Sequence, residues 1–254
     1  MCGPRLRAVV FDTDGVLTDS ARVHAAAWKL AFDGCLDVLP AADREQCRPF
    51  DQVEEYRRLV DGKSRFDGAL AFLTARGIHL PTGDPQDPPG CGSVWAIAAR
   101  KDQEFVTALR ERPPEAFPDV LPLLRTLREA GVLCAAASAS RHARDVLTAA
   151  GIVGLCETVV DGVEAARLGL PGKPDPALFV EAARRLGMPP AAAAVVEDAS
   201  VGVEAARRGG FGLVVGLDRG ASPAAAADLR AHGADLVVGD LSGLPEDIAR
   251  RNRP

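Results

Sequence analysis

Two carboxylates one residue apart follow an apolar run near the N-terminus: Ala8-Val9-Val10-Phe11, then Asp12-Thr13-Asp14-Gly15. The run has the composition of a buried strand in a parallel sheet. Open α/β sheets bind ligands outside the carboxyl ends of their strands. Two acids at such an end can divide the work, one attacking or ligating a metal, the other moving a proton. The same residues also spell an ordinary Asp-Gly turn, or the cap of a following helix. The pair gains weight only if other strand ends agree with it.

Three others do. Ser138 follows the apolar run 132–137 within Ala-Ser-Ala-Ser (137–140). A hydroxyl there, with the first N–H groups of a helix, suits a phosphate oxygen, and equally suits an N-cap. Lys173 sits in Pro171-Gly172-Lys173-Pro174-Asp175-Pro176. Its prolines restrict the backbone and aim a point cation able to offset phosphate charge; alone it reads as a solvated loop lysine. Glu197-Asp198 closes the run Ala193-Ala194-Val195-Val196. Two acids there are costly unless paired or metal-bound, and magnesium commonly takes one or two carboxylates plus phosphate oxygens. The bland alternative is a capped turn before Ser200. Taken together, the four sets converge on one edge of one sheet and describe a phosphate site.

The elements that must position them read as a doubly wound α/β sheet. Helical stretches at 119–130, 141–150, 176–187 and 200–208 alternate with strands at 132–137, near 158–160, at 193–196, 213–215 and 236–238. Strands alternating with helices imply parallel pairing. Residues 20–111 differ, with helical periodicity, more charge and a Pro/Gly-rich loop at 81–90. We read 1–19 and 112–254 as an α/β catalytic core, and 20–111 as a mainly helical cap inserted after the first strand. Hinges are expected near 18–20 and 112–118, which is how a lid is built.

The chain of 254 residues is 47% hydrophobic and 26% charged, with a net charge of −5. That balance speaks against a general nucleic-acid binder, which needs a basic face. No apolar stretch reaches the ~18 residues of a membrane span, and the N-terminal run is too short for a signal peptide. Cytoplasmic residence is the default expectation. Cys2, Cys35, Cys47, Cys91, Cys134 and Cys156 form no Cys-x-x-Cys pair and read as free thiols. The four histidines lack zinc-ligand spacing. Arg250-Arg251-Asn252-Arg253 reads as a solvated, fraying tail.

Asp-Thr-Asp-Gly-Val, Ala-Ser-Ala-Ser, Gly-Lys-Pro-Asp-Pro and Val-Val-Glu-Asp-Ala, in that order, resemble the haloacid dehalogenase-like phosphotransferases, over nearly the whole chain. Within that family the chain is most similar to the β-phosphoglucomutase subfamily. Ser20, His24 and Trp28 match its first cap helix and hinge, and Gly62-Lys63-Ser64-Arg65 its sugar-phosphate loop. Arg100-Lys101 matches its cap lysine, and Ser140, Arg141 and His142 its distal phosphate- and sugar-binding segment. Thr13, Ser20 and the longer stretch from Arg65 to Lys101 depart from the pattern.

The resemblance implies phosphoryl transfer through a phosphoaspartate on Asp12, with Asp14 as acid/base and Ser138 and Lys173 cradling the phosphoryl group. Mg²⁺ would be held by Asp12, the Asp14 carbonyl and Asp198, with Glu197 as ligand or orienter. Gly62, Lys63, Arg65, Lys101, Ser140, Arg141, His142 and His24 are the candidates for substrate binding. The implied partner is a small sugar phosphate, without nucleic acid or membrane, and the expected state is a monomer. The favoured reaction interconverts β-glucose 1-phosphate and glucose 6-phosphate. The alternative is a sugar-phosphate phosphatase, for example for trehalose 6-phosphate. A catalytically inactive binding module is a third reading, against which intact Asp12, Asp14, Lys173 and Asp198 argue. A dinucleotide-binding oxidoreductase fails, because no Gly-x-Gly-x-x-Gly follows the first strand.

Overall fold

The computed structural model describes residues 5–38 and 46–252; Cys2 and Arg253 lie outside the described residues. In chain order the elements are β1 (Ala8–Phe11), α1 (Ala21–Leu36), α2 (Arg65–Ala75), α3 (Val94–Glu111), α4 (Val120–Glu129), β2 (Leu133–Ala137), α5 (Ala143–Ala149) and β3 (Thr158–Val160). There follow α6 (Gly162–Leu168), α7 (Ala177–Arg185), β4 (Ala193–Glu197), α8 (Ser200–Arg208), β5 (Leu213–Leu217), α9 (Pro223–Ala231), β6 (Leu236–Val238) and α10 (Leu244–Arg251). They fall into two compact units, Met1–Asp19 with Glu115–Pro254, and Ser20–Pro114.

The first unit carries a six-stranded sheet in the order β3-β2-β1-β4-β5-β6. Every pairing is parallel. Alternate strand residues point to opposite faces, so each strand feeds two cores. Val9, Phe11, Ala136 and Val196 join one apolar cluster with α4 and α10, while Ala8, Val10, Ala137 and Val195 join the other with α7 and α8. Burial on both faces explains the continuous apolar runs. This is the doubly wound fold that the alternating pattern predicts. β1 lies centrally between β2 and β4, so its carboxyl end opens at the point where strand order reverses, the usual ligand crevice of such sheets.

Local signals account for the element ends. On α4, Val120, Leu123, Leu124 and Leu127 are buried at helical spacing. Gly131, at φ +70°, ends it, and the Val132 N–H returns to the Leu127 carbonyl. Helix α6 is absent from the sequence reading because it buries no residue. It is held instead by its cap, Asp161, which accepts from the Val163 and Glu164 N–H groups. The C-terminus is not a fraying tail through Asn252: α10 runs to Arg251, and the Asn252 side chain exchanges two hydrogen bonds with the Leu6 backbone.

The two connections at the ends of the inserted segment pair with each other. The Asp19 N–H donates to the Glu115 carbonyl and the Phe117 N–H to that of Leu17.

The second unit packs α1, α2 and α3 around Trp28, Phe32, Phe50 and Phe72, with the Phe32 and Phe72 rings stacked 3.8 Å apart. A buried Arg76–Glu55 pair bonds side-on through Nε and Nη2, and the same guanidinium donates to the carbonyls of Gln46, Arg48 and Pro49. The Pro/Gly-rich segment runs from α2 towards α3 and is tied down by Val94 and Trp95 N–H groups, which donate to the Pro81 and Thr82 carbonyls. Cys35 and Cys91 are joined in a disulfide, contrary to the expectation of free thiols. Spacing alone missed it because the two cysteines, 56 positions apart, meet only through the tertiary fold. Cys47, Cys134 and Cys156 are free. Among the described residues no helix is long and apolar enough to cross a membrane.

Candidate active site

Each candidate of the α/β unit except Lys173 stands at or just beyond the carboxyl end of a strand or in the turn that follows; Lys173, expected at a strand end, lies instead in the loop between α6 and α7. Asp12 leaves β1 with its N–H donating to the Val196 carbonyl of β4, which carries the ladder one residue past the strand. Its side chain is buried and doubly engaged. Oδ1 accepts from Lys173 Nζ at 2.6 Å, and Oδ2 from the Asp14 N–H at 3.0 Å. The nucleophile candidate is thereby locked in one rotamer by the acid/base candidate's own backbone.

Asp14 Oδ2 accepts from Ser138 Oγ at 3.0 Å, and Ser138 Oγ in turn accepts from the Ser140 N–H. Ser138 is fixed by a ladder-like bond from its N–H to the Val160 carbonyl. Strands β1 and β2 are neighbours, so the two side chains meet although 124 residues separate them.

Lys173 lies buried between two acids, 2.6 Å from Asp12 Oδ1 and 2.6 Å from Glu197 Oε1, with its ammonium 4.7 Å from the Phe179 ring centroid. Both Glu197 oxygens are engaged, Oε1 by Lys173 and Oε2 by the Ala199 N–H at 2.6 Å. Gly202 leaves room for this: a Cβ there would fall 1.7 Å from Oε1. In this arrangement Glu197 orients Lys173. Burial pushes the Asp12 carboxyl above the ordinary carboxylate range and Glu197 and Asp14 add to that, while Lys173 pulls the other way. Burial also opposes the Lys173 charge, but Asp12 and Glu197 outweigh it and hold the ammonium above its usual range.

Asp198 faces the turn after β1. Gly15 sits at φ +82°, and a Cβ on it would come within 1.9 Å of Asp198 Oδ2. The acid and the turn therefore approach as closely as a glycine permits. Asp12 and Glu197 flank Lys173, Asp14 stands beside Asp12, and Asp198 meets the turn at Gly15; four acids set against one lysine suit a divalent cation. Among the described residues no three His, Cys, Asp or Glu side chains form a ready-made cage. Two carboxylates completed by a main-chain oxygen, water and phosphate are the open set that magnesium prefers over an all-protein cage.

Of the segment after Ser138, Ser140 Oγ accepts from the His142 N–H at 3.3 Å, His142 lies 3.6 Å from Asp145, and Arg141 is exposed. The remaining candidates belong to the helical unit. Gly62 takes a left-handed φ of +69°, and Lys63 Nζ donates to the Leu59 carbonyl. Arg65 pairs with Asp102 at 3.1 Å, with its guanidinium 5.8 Å from the Trp95 ring centroid. Lys101 Nζ is 2.6 Å from His24 Nδ1, and His24 stacks on Phe105 at 3.9 Å. Arg65 and His24 converge on α3, where Lys101 and Asp102 are consecutive.

One residue of the α/β unit escaped sequence reasoning. Arg219 follows β5 and reaches back to the turn after β1, donating to the Gly15 and Val16 carbonyls. Its signal was available: a fifth apolar strand, 213–217, ends at Asp218-Arg219-Gly220.

Comparison with known proteins agrees with this geometry. Residues 6–210 match the family of haloacid dehalogenase-like hydrolases. A β-phosphoglucomutase of Mycobacterium bovis is 42% identical over 240 residues, covering 94% of this chain and 92% of its own length. A Bacillus subtilis β-phosphoglucomutase is 29% identical, with 96% and 93% covered. The crystal structure of a Clostridium difficile β-phosphoglucomutase superposes with a TM-score of 0.75 over 97% of both chains at 23% identity, a likeness of fold. With the family matched over most of the sequence and a relative aligned almost end to end, this chain belongs to the haloacid dehalogenase-like hydrolases and is an enzyme of phosphotransferase or phosphatase type.

Proposed function

We propose that the chain is a magnesium-dependent β-phosphoglucomutase, moving a phosphoryl group on a sugar phosphate through an aspartyl-phosphate. The observation that carries this reading is the joint placement of Asp12, Asp14, Ser138 and Lys173 in one hydrogen-bonded chain. A relative of that activity, 42% identical nearly end to end, supports it.

Asp12 is the nucleophile. One of its carboxylate oxygens forms a bond to phosphorus as the bond from phosphorus to the leaving sugar oxygen breaks. The Asp14 side chain donates a proton to that leaving oxygen; afterwards it takes one from the incoming hydroxyl, whose oxygen bonds to phosphorus as the bond from phosphorus to Asp12 breaks, so the pair ends as it began. The contact of Asp14 with Ser138 holds its carboxyl in place before substrate arrives. Lys173, oriented by Glu197, offsets the charge on the phosphoryl oxygens, and Ser138 with nearby N–H groups completes the cradle. Asp12, Asp198 and the Asp14 carbonyl would hold Mg²⁺, which family phosphotransferases generally use and which supplies further charge neutralisation when bound. We assign sugar recognition to Arg65, Lys101, Lys63, Gly62 and His24 of the helical unit, with Ser140, Arg141 and His142.

The test is to incubate the protein with Mg²⁺ and β-glucose 1-phosphate, primed with a trace of the 1,6-bisphosphate, and to follow ³¹P signals. Glucose 6-phosphate should appear without inorganic phosphate. Rapid phosphate release across a sugar-phosphate panel would overturn the mutase in favour of a phosphatase. Absence of both turnover and aspartyl-phosphate would leave a binding module.

A further inference from the structure

We infer that Arg219 is a positioning residue for the phosphoryl-transfer site: it pins the turn that carries Asp14 against Asp198. This rests on the reading of Asp12, Asp14 and Asp198 as the metal and phosphoryl site.

The argument starts from the turn itself. After Asp14 the chain doubles back, and the Gly15 N–H donates to the Thr18 carbonyl at 2.9 Å. Because the peptide is planar and trans, that bond also fixes the direction of the Asp14 carbonyl, which points opposite to the Gly15 N–H. The next two carbonyls, of Gly15 and Val16, accept from Arg219 Nε at 3.3 Å and Nη2 at 2.9 Å. Three successive peptide groups are thus oriented, two of them by one guanidinium. The face of Gly15 that lacks a side chain meets Asp198. A shift of the turn would therefore alter its spacing from that carboxylate and the direction of the Asp14 carbonyl together.

Arg219 is itself held. Its Nη1 bonds Asp119 Oδ2 at 3.0 Å, and its guanidinium lies 3.8 Å from the centroid of the Phe117 ring. Asp119 Oδ2 also accepts from the Leu241 N–H. Phe117 in turn donates its N–H to the Leu17 carbonyl. The guanidinium therefore ties together the turn after β1, the end of β5 and the segment leading into α4. A planar fork with five donors suits this work, and a lysine ammonium does not reproduce it. Salt bridging alone would need only Asp119; the two carbonyl bonds give the residue its bearing on the site.

Two variants, Arg219→Lys and Arg219→Met, test this against the parent in three ways. Thermal melting establishes that each is folded. Mn²⁺ binding is titrated by electron paramagnetic resonance, and trapping of beryllium trifluoride on Asp12 is followed by ¹⁹F NMR, neither of which needs turnover. Steady-state kinetics then separates kcat from KM. Both variants should bind Mn²⁺ about 10–100-fold more weakly, the scale for losing a residue that orients metal ligands. The trifluoroberyllate signals should shift or vanish, and kcat should fall while KM for the sugar phosphate stays within about threefold.

A purely structural role would lower the melting temperature yet leave the folded fraction binding Mn²⁺ as the parent does, and that result overturns the proposal. If Arg219→Met does not fold, Arg219→Lys decides by the same readings. Should the parent bind neither Mn²⁺ nor trifluoroberyllate, the phosphoryl-transfer reading itself falls and takes this one with it. Parent-like binding in the variants of a competent parent removes Arg219 alone.

Discussion

Lys173 Nζ lies 2.6 Å from Asp12 Oδ1, and both groups are buried. A buried ammonium and carboxylate this close stabilise each other's charged forms, and the attraction is strong because little water screens it. Glu197 takes the opposite side of the ammonium at the same distance. The candidate nucleophile is therefore held by a cation that is itself held, which leaves little freedom for either to reorient during transfer.

The nucleophile assignment predicts a sharp result for Asp12→Asn. The amide preserves shape and can still accept from Lys173, so the fold should persist. Phosphoenzyme formation should disappear, and turnover should fall about 10⁴-fold or more, the scale for loss of a covalent nucleophile. Intact-protein mass spectrometry after brief exposure to substrate would check it. A phosphoryl adduct on the variant would reassign the nucleophile.

Lys173→Met removes the cation while keeping a chain of similar length. Asp12 then loses the cation that opposes the effect of burial, and its carboxyl is driven further toward the protonated form. We expect kcat to drop about 10²–10³-fold, as when a preorganised charge partner of the transition state is lost. Stopped assays across a range of Mg²⁺ concentrations would check this. Recovery of parent rates at high Mg²⁺ would mean that Lys173 only balances static charge.

Gly15→Ala probes the contact with Asp198. The new Cβ would lie 1.9 Å from Oδ2, in a turn whose φ of +82° already disfavours any L side chain. Either the carboxylate or the turn must move. The expected cost is about 1–2 kcal/mol of stability from the backbone alone, measurable by urea unfolding. A further loss of divalent-cation affinity should be visible by direct titration. Unchanged affinity would mean that the Asp198 carboxylate can relax away without consequence.

Much of this site was legible in the chain because parallel sheets expose their strand ends in one crevice. Apolar runs at 8–11, 132–137 and 193–196 mark β1, β2 and β4, and Asp12, Ser138 and Glu197-Asp198 stand where those runs stop. What could not be read were relationships set by tertiary packing. Arg219 acts 204 residues away from Gly15, through carbonyls that carry no side-chain signature. Cys35 and Cys91 meet only because α1 and the segment before α3 lie side by side. From its place beside Asp198, Glu197 reads equally as a metal ligand or an orienter; only the fold shows its two oxygens engaged by Lys173 and the Ala199 N–H.

The disulfide makes its own prediction for the helical unit. It closes a loop between positions 56 apart in the chain. Constraining the unfolded chain by such a loop is worth about 4 kcal/mol on the chain-entropy model, and typical measured values are ~2–4. Cys35→Ser with Cys91→Ser should therefore lower the unfolding midpoint, and a dithiol reductant should do the same to the parent but not to the double variant. Equal midpoints with and without reductant would show that the bridge contributes nothing.

Acid should act on the helical unit through Glu55. Burial pushes this carboxyl up, but hydrogen bonds from Arg76 and the Asp51 N–H, with the charges of Arg76 and Arg48, outweigh burial and hold it below its ordinary value of 4.5. A carboxylate depressed in the folded state binds its proton more readily when unfolded. Its stabilisation is therefore full above the unfolded value and is lost as pH falls below about 4.5 and through the folded value. Glu55→Gln should make stability less dependent on pH in that acid window. At neutral pH the parent should be the more stable, by up to about 3–5 kcal/mol, since the change leaves Arg76 buried without its counter-charge. Urea unfolding of both proteins at neutral pH and through the acid range would decide it. Parallel curves would place the acid-sensitive group elsewhere.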